Sequence, residues 1–256
     1  MIQENAMIYQ EDINGIPVKA YFSEESIESI FLPLLRHLTG LQIQKGRRII
    51  VLLAAPPGAG KSTLVHFLKY LAENTEGILP ITSLGMDGFH HYQSYLDTHT
   101  MERSGEIHLM KEFKGAPETF DLPLLKERLR MVAEGQDCGW PEYYRIAHDP
   151  IDNAITVTGD IVLIEGNYLL LDWDGWSDLA GYADYTIRLM ADESILKDRL
   201  IERKMNSGIT FDEAKAFVER SDLYNVQTCL NHTVDNTDLT LKLMDDDSLT
   251  ALNSGV

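Results

Sequence analysis

The pattern of apolar and polar positions divides the chain into an N-terminal extension and an alternating main body. Residues Ala6–Phe22 alternate around Asn14-Gly15, a dipeptide typical of a two-residue hairpin turn. Ser23, followed by two glutamates, is typical of a helix start, because the helix dipole favours anions in the first turn. Apolar residues at helical spacing follow, and Pro33 predicts a kink. We expect this extension, residues 1–45, to pack against the main body.

The main body alternates short apolar runs with helical patterns. The predicted strands are Arg48–Ala54, Ile81–Met86, Asp160–Ile164, Tyr185–Met190 and Asp238–Met244, and the predicted helices are Ser62–Ala72, Leu122–Glu134, Ser194–Lys204 and Phe211–Arg220. Strands separated by helices imply an α/β fold with a mainly parallel sheet covered on both faces, and such sheets bind ligands at the carboxyl ends of their strands. We therefore predict a single domain over 1–256, with its core at 46–244 and a frayed acidic tail at 245–256.

Composition and charge narrow the class of protein. The chain has 256 residues with 44% hydrophobic and 24% charged positions, as is typical of a soluble globular protein. Its 22 basic and 40 acidic residues give a net charge of −18, which argues against a nucleic-acid or anionic-membrane surface. Apolar runs stay well short of the roughly 18 residues of a membrane span, and the acidic N-terminus lacks the apolar region of a signal peptide. Cys138 and Cys229 form no C-x-x-C pattern, so we expect a reducing, cytoplasmic location.

A glycine-rich stretch, A-P-P-G-A-G-K-S-T at 55–63, connects the first predicted strand of the main body to a helix. It matches the phosphate-loop pattern G-x-x-x-x-G-K-[ST], except that Ala55 occupies the first glycine position. In such a loop, backbone N–H groups at a helix N-terminus converge on phosphate oxygens, and a lysine reaches the β- and γ-phosphates. We predict that a nucleoside triphosphate is bound by Pro57, Gly58, Ala59, Gly60, Lys61, Ser62 and Thr63.

A magnesium site in a phosphate-loop protein also needs a carboxylate at the end of a neighbouring strand. The stretch D-I-V-L-I-E-G-N-Y, residues 160–168, supplies Glu165 directly after an apolar run. We predict Mg²⁺ at Ser62 and Glu165. The alternative is an acid that merely ends a strand.

The stretch M-D-G-F-H-H, residues 86–91, allows two interpretations. Asp87 with two histidines could bind a metal, but zinc needs at least three convergent ligands, and His90 and His91 would point apart in an extended segment. If the preceding strand is parallel to the phosphate-loop strand, Asp87 lies at the same sheet edge as the loop, where it can accept the proton of a substrate hydroxyl. We favour the second interpretation, with Gly88 allowing a sharp turn.

Three strings downstream of the phosphate loop carry a resemblance to a known family. MDGFH (86–90), KGAPETFD (114–121) and IEGNYLL (164–170) resemble the phosphoribulokinase/uridine kinase family of P-loop kinases, over about residues 48–240. They are most similar to a branch of pantothenate-kinase-like and sugar or nucleoside kinases. The resemblance implies a P-loop NTPase fold, three-layer α/β/α, and an ATP·Mg²⁺-dependent transfer of the γ-phosphoryl group to a small-molecule hydroxyl.

The resemblance also implies residue roles. Asp87 and Lys61 would be catalytic, together with Arg199 and Arg203, which lie four apart on a predicted helix as lid arginines do. An alternative for this arginine pair is ion pairing on an exposed helix. S-D-L-Y-N at 221–225 places Asn225 near the nucleotide. The predicted acceptor-binding residues are His90, Arg103, Phe120, Tyr143, Arg145 and His148.

Two departures from the family pattern bear on activity. P-E-Y-Y-R at 141–145 has Tyr144 where an aspartate is common, and Ala55 replaces the first loop glycine. The segment between His91 and Lys114 is also longer than in similar proteins, and Arg103 within it can recognise a phosphate or carboxylate of the acceptor or lie on a solvated loop face.

Two functions from different classes therefore remain. The first is a kinase acting on a small-molecule acceptor, and the second is an ATP-binding regulatory module with little or no transfer, which Ala55 and Tyr144 favour. The N-terminal hairpin also offers a strand edge through which a homodimer could form.

Overall fold

The computed structural model describes residues 6–13, 15–103, 105–145 and 147–253. At the N-terminus, β1 (Ala6–Ile13) and β2 (Ile16–Ser23) pair antiparallel as the alternation predicts, while Asn14 of the predicted turn lies outside the described residues. The pair forms a two-stranded sheet of its own. The extension is therefore attached to the main body by side-chain packing, not by strand pairing.

The helix of the extension is capped by Ser23, whose hydroxyl accepts a hydrogen bond from the backbone N–H of Ser26 at 3.0 Å. It runs through α1 (Glu24–Ser26), a π-helical turn (Ile27–Phe31) and α2 (Leu32–Lys45). Pro33 lies in the first turn of α2, directly after the π turn. A proline lacks the N–H for an internal helical hydrogen bond, so the helix changes its hydrogen-bonding pattern next to Pro33.

The main body contains the predicted elements with their ends shifted by one to a few residues. In chain order these are β3 (Ile49–Ala54), α3 (Lys61–Glu73), β4 (Ile81–Gly85), α4 (Gln93–Leu96), β5 (Thr100–Arg103), β6 (Glu106–Leu109), α5 (Leu122–Ala133), β7 (Cys138–Tyr144), β8 (Asp149–Val157), β9 (Ile161–Gly166), β10 (Tyr185–Ala191), α6 (Glu193–Met205), α7 (Phe211–Phe217), α8 (Leu223–His232), β11 (Leu239–Leu243) and β12 (Leu249–Asn253). The hairpins β5–β6 and β7–β8 were not predicted. Short 3₁₀ turns occur at Met86–Phe89, Met110–Phe113, Pro117–Thr119 and Ser177–Tyr182, and a second π turn at Val218–Asp222.

A six-stranded sheet in the order β12-β11-β10-β3-β9-β4 forms the middle layer. All neighbours are parallel except β11 and β12. Every residue of β3 is buried, because its side chains alternate between two hydrophobic cores. Val51 points toward α2 and α3, and Leu52 points toward α5 and Trp140. The three-layer α/β/α architecture is therefore confirmed.

Aromatic side chains fix the extension against α3. The ring of Phe22 stacks on that of Phe67 with 3.8 Å between centroids, and Tyr9 meets Phe67 edge-on at 5.3 Å. Tyr9 is buried in the same hydrophobic core as Phe67. The predicted packing of the extension is confirmed.

The acidic tail differs from the prediction of a frayed end, which was wrong. Residues 245–248 form a tight turn in which the N–H of Met244 donates to the carbonyl of Ser248 at 2.9 Å. The chain then returns as β12 along β11, whose edge backbone groups would otherwise lack strand partners. Asp247 of this turn forms an ion pair with Arg199 on α6.

Two further properties concern helices and thiols. No helix within the described ranges is both long and apolar enough to cross a membrane.

Cys138 and Cys229 are free and buried. Burial raises the pKa of both thiols, that of Cys229 to about 12, so neither is a ready nucleophile at neutral pH.

Candidate functional site

The phosphate loop is held in its conformation by two glycines with positive φ. Gly58 has φ 86°, and Gly60, at 83°, is the N-cap of α3. A β-carbon on Gly58 would come within 3.2 Å of the carbonyl oxygen of Leu196, so a side chain there would also be crowded by α6. The first N–H groups of α3 have no partner within the helix and point toward the loop. They form a site for anionic oxygens.

Ala55 does not disturb this loop. Among the described non-glycine residues, positive φ is found at His148, Asn153 and Asp247, so Ala55 has an ordinary backbone conformation. Its N–H donates to the carbonyl of Gly166 on β9 at 3.2 Å, which joins the start of the loop to the neighbouring strand. The first glycine position of the pattern therefore needs no glycine in this chain.

Ser62 and Glu165 are brought together by the pairing of β3 with β9. The hydroxyl of Ser62 donates to Oε1 of Glu165 at 2.7 Å. Burial raises the pKa of Glu165, and the negative charge of Asp87 adds to this, while Lys61 and the bond from Ser62 oppose it. A hydroxyl beside a carboxylate fits Mg²⁺, which prefers oxygen ligands. In the part of the chain that the structure describes, no cluster of three His, Cys, Asp or Glu residues could hold a metal, so the remaining ligands would be phosphate and water oxygens.

Asp87 lies at the same sheet edge, in the 3₁₀ turn that follows β4. The indole Nε1–H of Trp140 donates to the carbonyl of Gly85 at 2.8 Å and fixes the end of that strand. Burial by itself raises the pKa of Asp87, but the charges of His90, Lys61, Arg145 and Arg203 outweigh burial and hold the pKa below its usual value. Asp87 is therefore ionised at neutral pH and able to accept a proton.

The role predicted for Gly88 was wrong. Gly88 is not among the glycines with positive φ, so the turn does not depend on its conformational freedom. A β-carbon at Gly88 would lie 2.0 Å from the carbonyl oxygen of Pro141 and 2.8 Å from the N of Glu142. Glycine is needed because the backbone of β7 passes directly over the Asp87 turn.

His90 faces the site, whereas His91 does not. Nδ1 of His90 lies 2.8 Å from the backbone carbonyl of Asp87. A carbonyl only accepts, so Nδ1 carries the hydrogen, and burial lowers the pKa of His90, which leaves Nε2 as a free acceptor. The His90 ring packs on Phe120 at 3.9 Å, while the His91 ring stacks on Tyr95 at 4.2 Å, so the two histidines diverge.

Strand alternation in the β7–β8 hairpin separates the P-E-Y-Y-R residues. Tyr143 and Arg145 point toward Asp87. Burial raises the pKa of Tyr143 to about 12, and the negative charge of Asp87 contributes to this rise. The positive charge of Arg145 helps to lower the pKa of Asp87. Tyr144 is 44% exposed on the opposite face, so its departure from the family pattern lies outside the site. His148 was predicted to contact the acceptor, but it lies in the exposed turn of the hairpin with φ 57°.

The two predicted lid arginines lie on different sides of the phosphate loop. Arg203 is exposed to solvent, and its charge helps to lower the pKa of Asp87. Arg199 approaches the loop from outside, where its Nη1–H donates to the carbonyl of Gly58 at 3.4 Å and its other end pairs with Asp247. A cavity of about 840 Å³ opens there between β2 and the loop, lined by Thr63, Arg199 and Asp247 among others.

The remaining predicted residues lie around the segment 114–121. Phe120 is buried and packs against the rings of His90 and Tyr168. Asn225, predicted beside the nucleotide, is buried and lies against Gly115, with its Nδ2 3.4 Å from where a β-carbon on Gly115 would be. Arg103 lies at the end of β5 with its guanidinium over two aromatic rings.

Three residues that position the site were not predicted. Lys114 donates to Oε1 of Gln93 at 3.0 Å and to the carbonyl of His148 at 2.6 Å, and the hydroxyl of Tyr168 donates to the carbonyl of Gly115 at 2.7 Å. Lys114 and Tyr168 belong to the KGAPETFD and IEGNYLL strings, so those motifs already pointed to them. Trp140 has no comparable signal in the sequence.

A phosphate loop between β3 and α3, facing a carboxylate on β9 and another after β4, defines a P-loop kinase arrangement. The sequence matches the profile of the Phosphoribulokinase / Uridine kinase family over residues 50–250. The chain belongs to this family, and its family places it among ATP-dependent small-molecule kinases.

Individual relatives agree with this assignment. The uncharacterized protein YggC of Escherichia coli strain K12 is 46% identical over 219 residues, covering 85% of this chain and 88% of that protein. The pantothenate kinase of Shewanella putrefaciens strain CN-32 is 27% identical over 234 residues, covering 81% of this chain and 70% of that enzyme. A crystal structure from Silicibacter sp. TM1040, whose name assigns it provisionally as a fructose transport system kinase, is 31% identical with a TM-score of 0.70, covering 80% and 98% of the two chains.

Proposed function

We propose that the chain is an ATP-dependent kinase that transfers the γ-phosphoryl group to a hydroxyl of a small molecule, of the nucleoside, sugar or pantothenate type. The observation that carries this proposal is Asp87, an ionised and partly buried carboxylate within the field of Lys61, Arg145 and Arg203. Asp87 follows the carboxyl end of β4, beside the phosphate loop, where a general base for an acceptor hydroxyl is needed.

Residues 57–63 would hold the phosphates of ATP, and Ser62 with Glu165 would hold Mg²⁺. The bound cation would supply positive charge to the β- and γ-phosphates. Lys61 adds a fixed positive charge at the same place. Arg203, on the helix that covers the loop, is placed to stabilise negative charge that develops during transfer.

On the acceptor side, Asp87 accepts the proton of the acceptor hydroxyl as its oxygen forms a bond to the γ-phosphorus. The bond between that phosphorus and the β,γ-bridging oxygen breaks, and ADP leaves with the electron pair. His90, Phe120 and Tyr143 form the wall against which the acceptor is oriented. Nε2 of His90 is free to accept from a second acceptor hydroxyl.

The regulatory alternative has lost the two features that favoured it. Ala55 has an ordinary backbone conformation, and the side chain of Tyr144 points away from Asp87. Homodimer formation through the hairpin stays a prediction.

The test is ADP release with a panel of nucleosides, pantothenate, sugars and glycerate. We expect one acceptor class to stimulate release, and Asp87→Asn to lower kcat by about 10²- to 10⁴-fold, the usual contribution of a general base. ATP affinity should be retained, because Asp87 faces the acceptor.

Asp178→Asn is the matched control, since Asp178 is an exposed carboxylate that pairs with Lys126 at 2.7 Å. It should leave kcat within about twofold, as surface substitutions do. ATP binding without stimulation by any acceptor would support the regulatory module instead.

A further inference from the structure

Arg103 is held in an unusual environment for a charged side chain. Its guanidinium carbon lies 4.1 Å from the ring centroid of Phe113 and 3.6 Å from that of Tyr224. Two aromatic contacts stabilise the cation and restrict the orientation of its plane. The hydrogen-bonding edge of the guanidinium is thereby preorganised.

That edge has no partner. Nε and Nη2 of Arg103 are both buried and make no hydrogen bond, and no ion pair to Arg103 occurs among residues 6–13, 15–103, 105–145 and 147–253. These two N–H groups point the same way and form the fork that binds a carboxylate or phosphate with two parallel hydrogen bonds. Leaving buried donors of a charged group unpaired is costly, so the arrangement indicates a missing anion.

A chain of contacts links Arg103 to the catalytic edge. Tyr224, which covers Arg103, precedes Asn225, and Asn225 lies against Gly115. The carbonyl of Gly115 accepts from the hydroxyl of Tyr168. Burial raises the pKa of Tyr168. The negative charge of Asp87 raises this pKa further, whereas the positive charge of Arg103 lowers it. Tyr168 therefore lies within the electrostatic field of both Asp87 and Arg103.

Other unpaired groups lie in the same region. Oδ1 of Asn225 and Oδ1 of Asn167 are buried acceptors without a donor. Asn167 contacts α8 through Cys229, because the thiol of Cys229 donates to the backbone carbonyl of Asn167 at 3.4 Å. Two acceptors and one cationic fork, all unpaired, match a ligand that carries hydroxyl groups and an anion.

We propose that Arg103 is the anion-binding residue of the acceptor site, and that the acceptor is a hydroxylated small molecule bearing a carboxylate or phosphate. The anion binds Nε and Nη2 of Arg103 while a hydroxyl of the same molecule reaches Asp87. This inference rests on the proposed kinase function. It also explains how a chain of net charge −18 can take an anionic substrate, since the local cation has no acidic partner in the described structure.

The test compares acceptors in matched pairs that differ in charge: glycerate with glycerol, pantothenate with its alcohol, and a sugar phosphate with the free sugar. We expect the wild type to phosphorylate the charged member of one pair with the lower KM. Arg103→Met, which keeps length and apolar contact, should raise that KM about 10- to 100-fold, as expected for loss of a charged hydrogen-bonded pair, with the KM for ATP unchanged. Arg103→Lys should fall between, because lysine cannot form the two-pronged contact.

Lys111→Met is the control for loss of positive charge. Lys111 lies in the same long segment between His91 and Lys114, but it is half-exposed and paired with Asp97 at 3.4 Å. It should leave both KM values unchanged. The pair that responds distinguishes a carboxylate from a phosphate. Equal use of charged and neutral acceptors, or an equal loss for both in Arg103→Met, would overturn the inference while leaving the kinase function intact.

A binding measurement separates the two proposals. Asp87→Asn loaded with ADP cannot turn over, and a charged acceptor should raise its melting temperature, whereas the double variant with Arg103→Met should show no such rise. If no acceptor stimulates ADP release, the kinase proposal fails. If in addition none of the charged compounds raises the melting temperature, the Arg103 proposal fails as well.

Discussion

The two sides of the site are built in different ways. The nucleotide side consists of consecutive residues, 55–63, together with Glu165 on the adjacent strand. The proposed acceptor side would be assembled from separate parts of the chain: the Asp87 turn, the end of β5, the segment 114–121, the β7–β8 hairpin and α8. A contiguous loop is specified by local conformation and can be recognised as a motif, whereas an assembled wall depends on how distant segments pack.

The two sides also differ in what holds them together. On the nucleotide side, the parallel pairing of buried β3 with β9 fixes the start of the loop, and the loop continues directly into α3. On the acceptor side, single contacts between segments carry the geometry, such as Gly88 against Pro141 and Lys114 bonded to two other segments. We expect the acceptor side to be the more easily disrupted of the two.

The largest difference should appear between the two arginines of α6. Arg203→Met should lower kcat by about 10²- to 10³-fold, the usual cost of removing one donor that stabilises transition-state charge. Arg199→Met should instead raise the KM for ATP while kcat changes little, because Arg199 lies beside the outer cavity and the loop carbonyl of Gly58. Steady-state kinetics in both substrates tests this division, and identical effects of the two variants would refute it.

A smaller loss of activity is expected from Gly88→Ala, which changes the structure only on the proposed acceptor side. The added β-carbon would overlap the carbonyl of Pro141, and overpacking of this kind costs about 1–3 kcal/mol or more. Thermal unfolding should show the loss, and acceptor-stimulated ADP release should fall further than ATP affinity.

Gly40→Ala is the matched control for Gly88→Ala. Gly40 lies in α2 with no atom within 4 Å of an added β-carbon. Alanine there should be neutral or stabilising by roughly 0.5–1 kcal/mol, since glycine is unfavourable inside a helix. A wild-type melting temperature for Gly88→Ala would show that β7 can move away at no cost.

The smallest effect concerns Glu165 on the nucleotide side. Its folded-state pKa is raised, so the fold favours the protonated form, and the wild type loses stability as pH rises through that pKa. In the absence of nucleotide and Mg²⁺, Glu165→Gln should therefore be the more stable protein at pH 8, by on the order of 1 kcal/mol. The difference should shrink toward pH 5. Unfolding curves at the two pH values decide this, and a larger gain at pH 5 would contradict the assigned direction.

Much of the nucleotide side could be predicted because its signals are local. The apolar run of β3, the loop glycines and the helix start all lie within about 25 residues, so the position of Lys61 and Ser62 followed from the motif and its flanks. Asp87 followed as well, because parallel strands bring their carboxyl ends to one edge. Ala55 raised a doubt that only its backbone conformation removed.

The errors arose where a residue's partner lies far along the chain. Gly88 was assigned to a turn, but its neighbour is Pro141, more than fifty positions away. Tyr144 was treated as a departure that bears on activity, and only the register of the β7–β8 hairpin shows that it faces outward. The acidic tail contains no strong strand pattern, and its order depends on the edge of β11.

By itself, then, the sequence determined the class of fold, the phosphate loop and the carboxylates at the sheet edge, because periodicity and motif spacing fix elements and the ends of parallel strands. The tertiary structure alone decided which arginine of α6 faces Asp87, where Asn225 lies, and that Arg103 is held with an unpaired edge between two aromatic rings. The physical reason is that side-chain burial and hydrogen-bond partners depend on contacts between segments that no local pattern records.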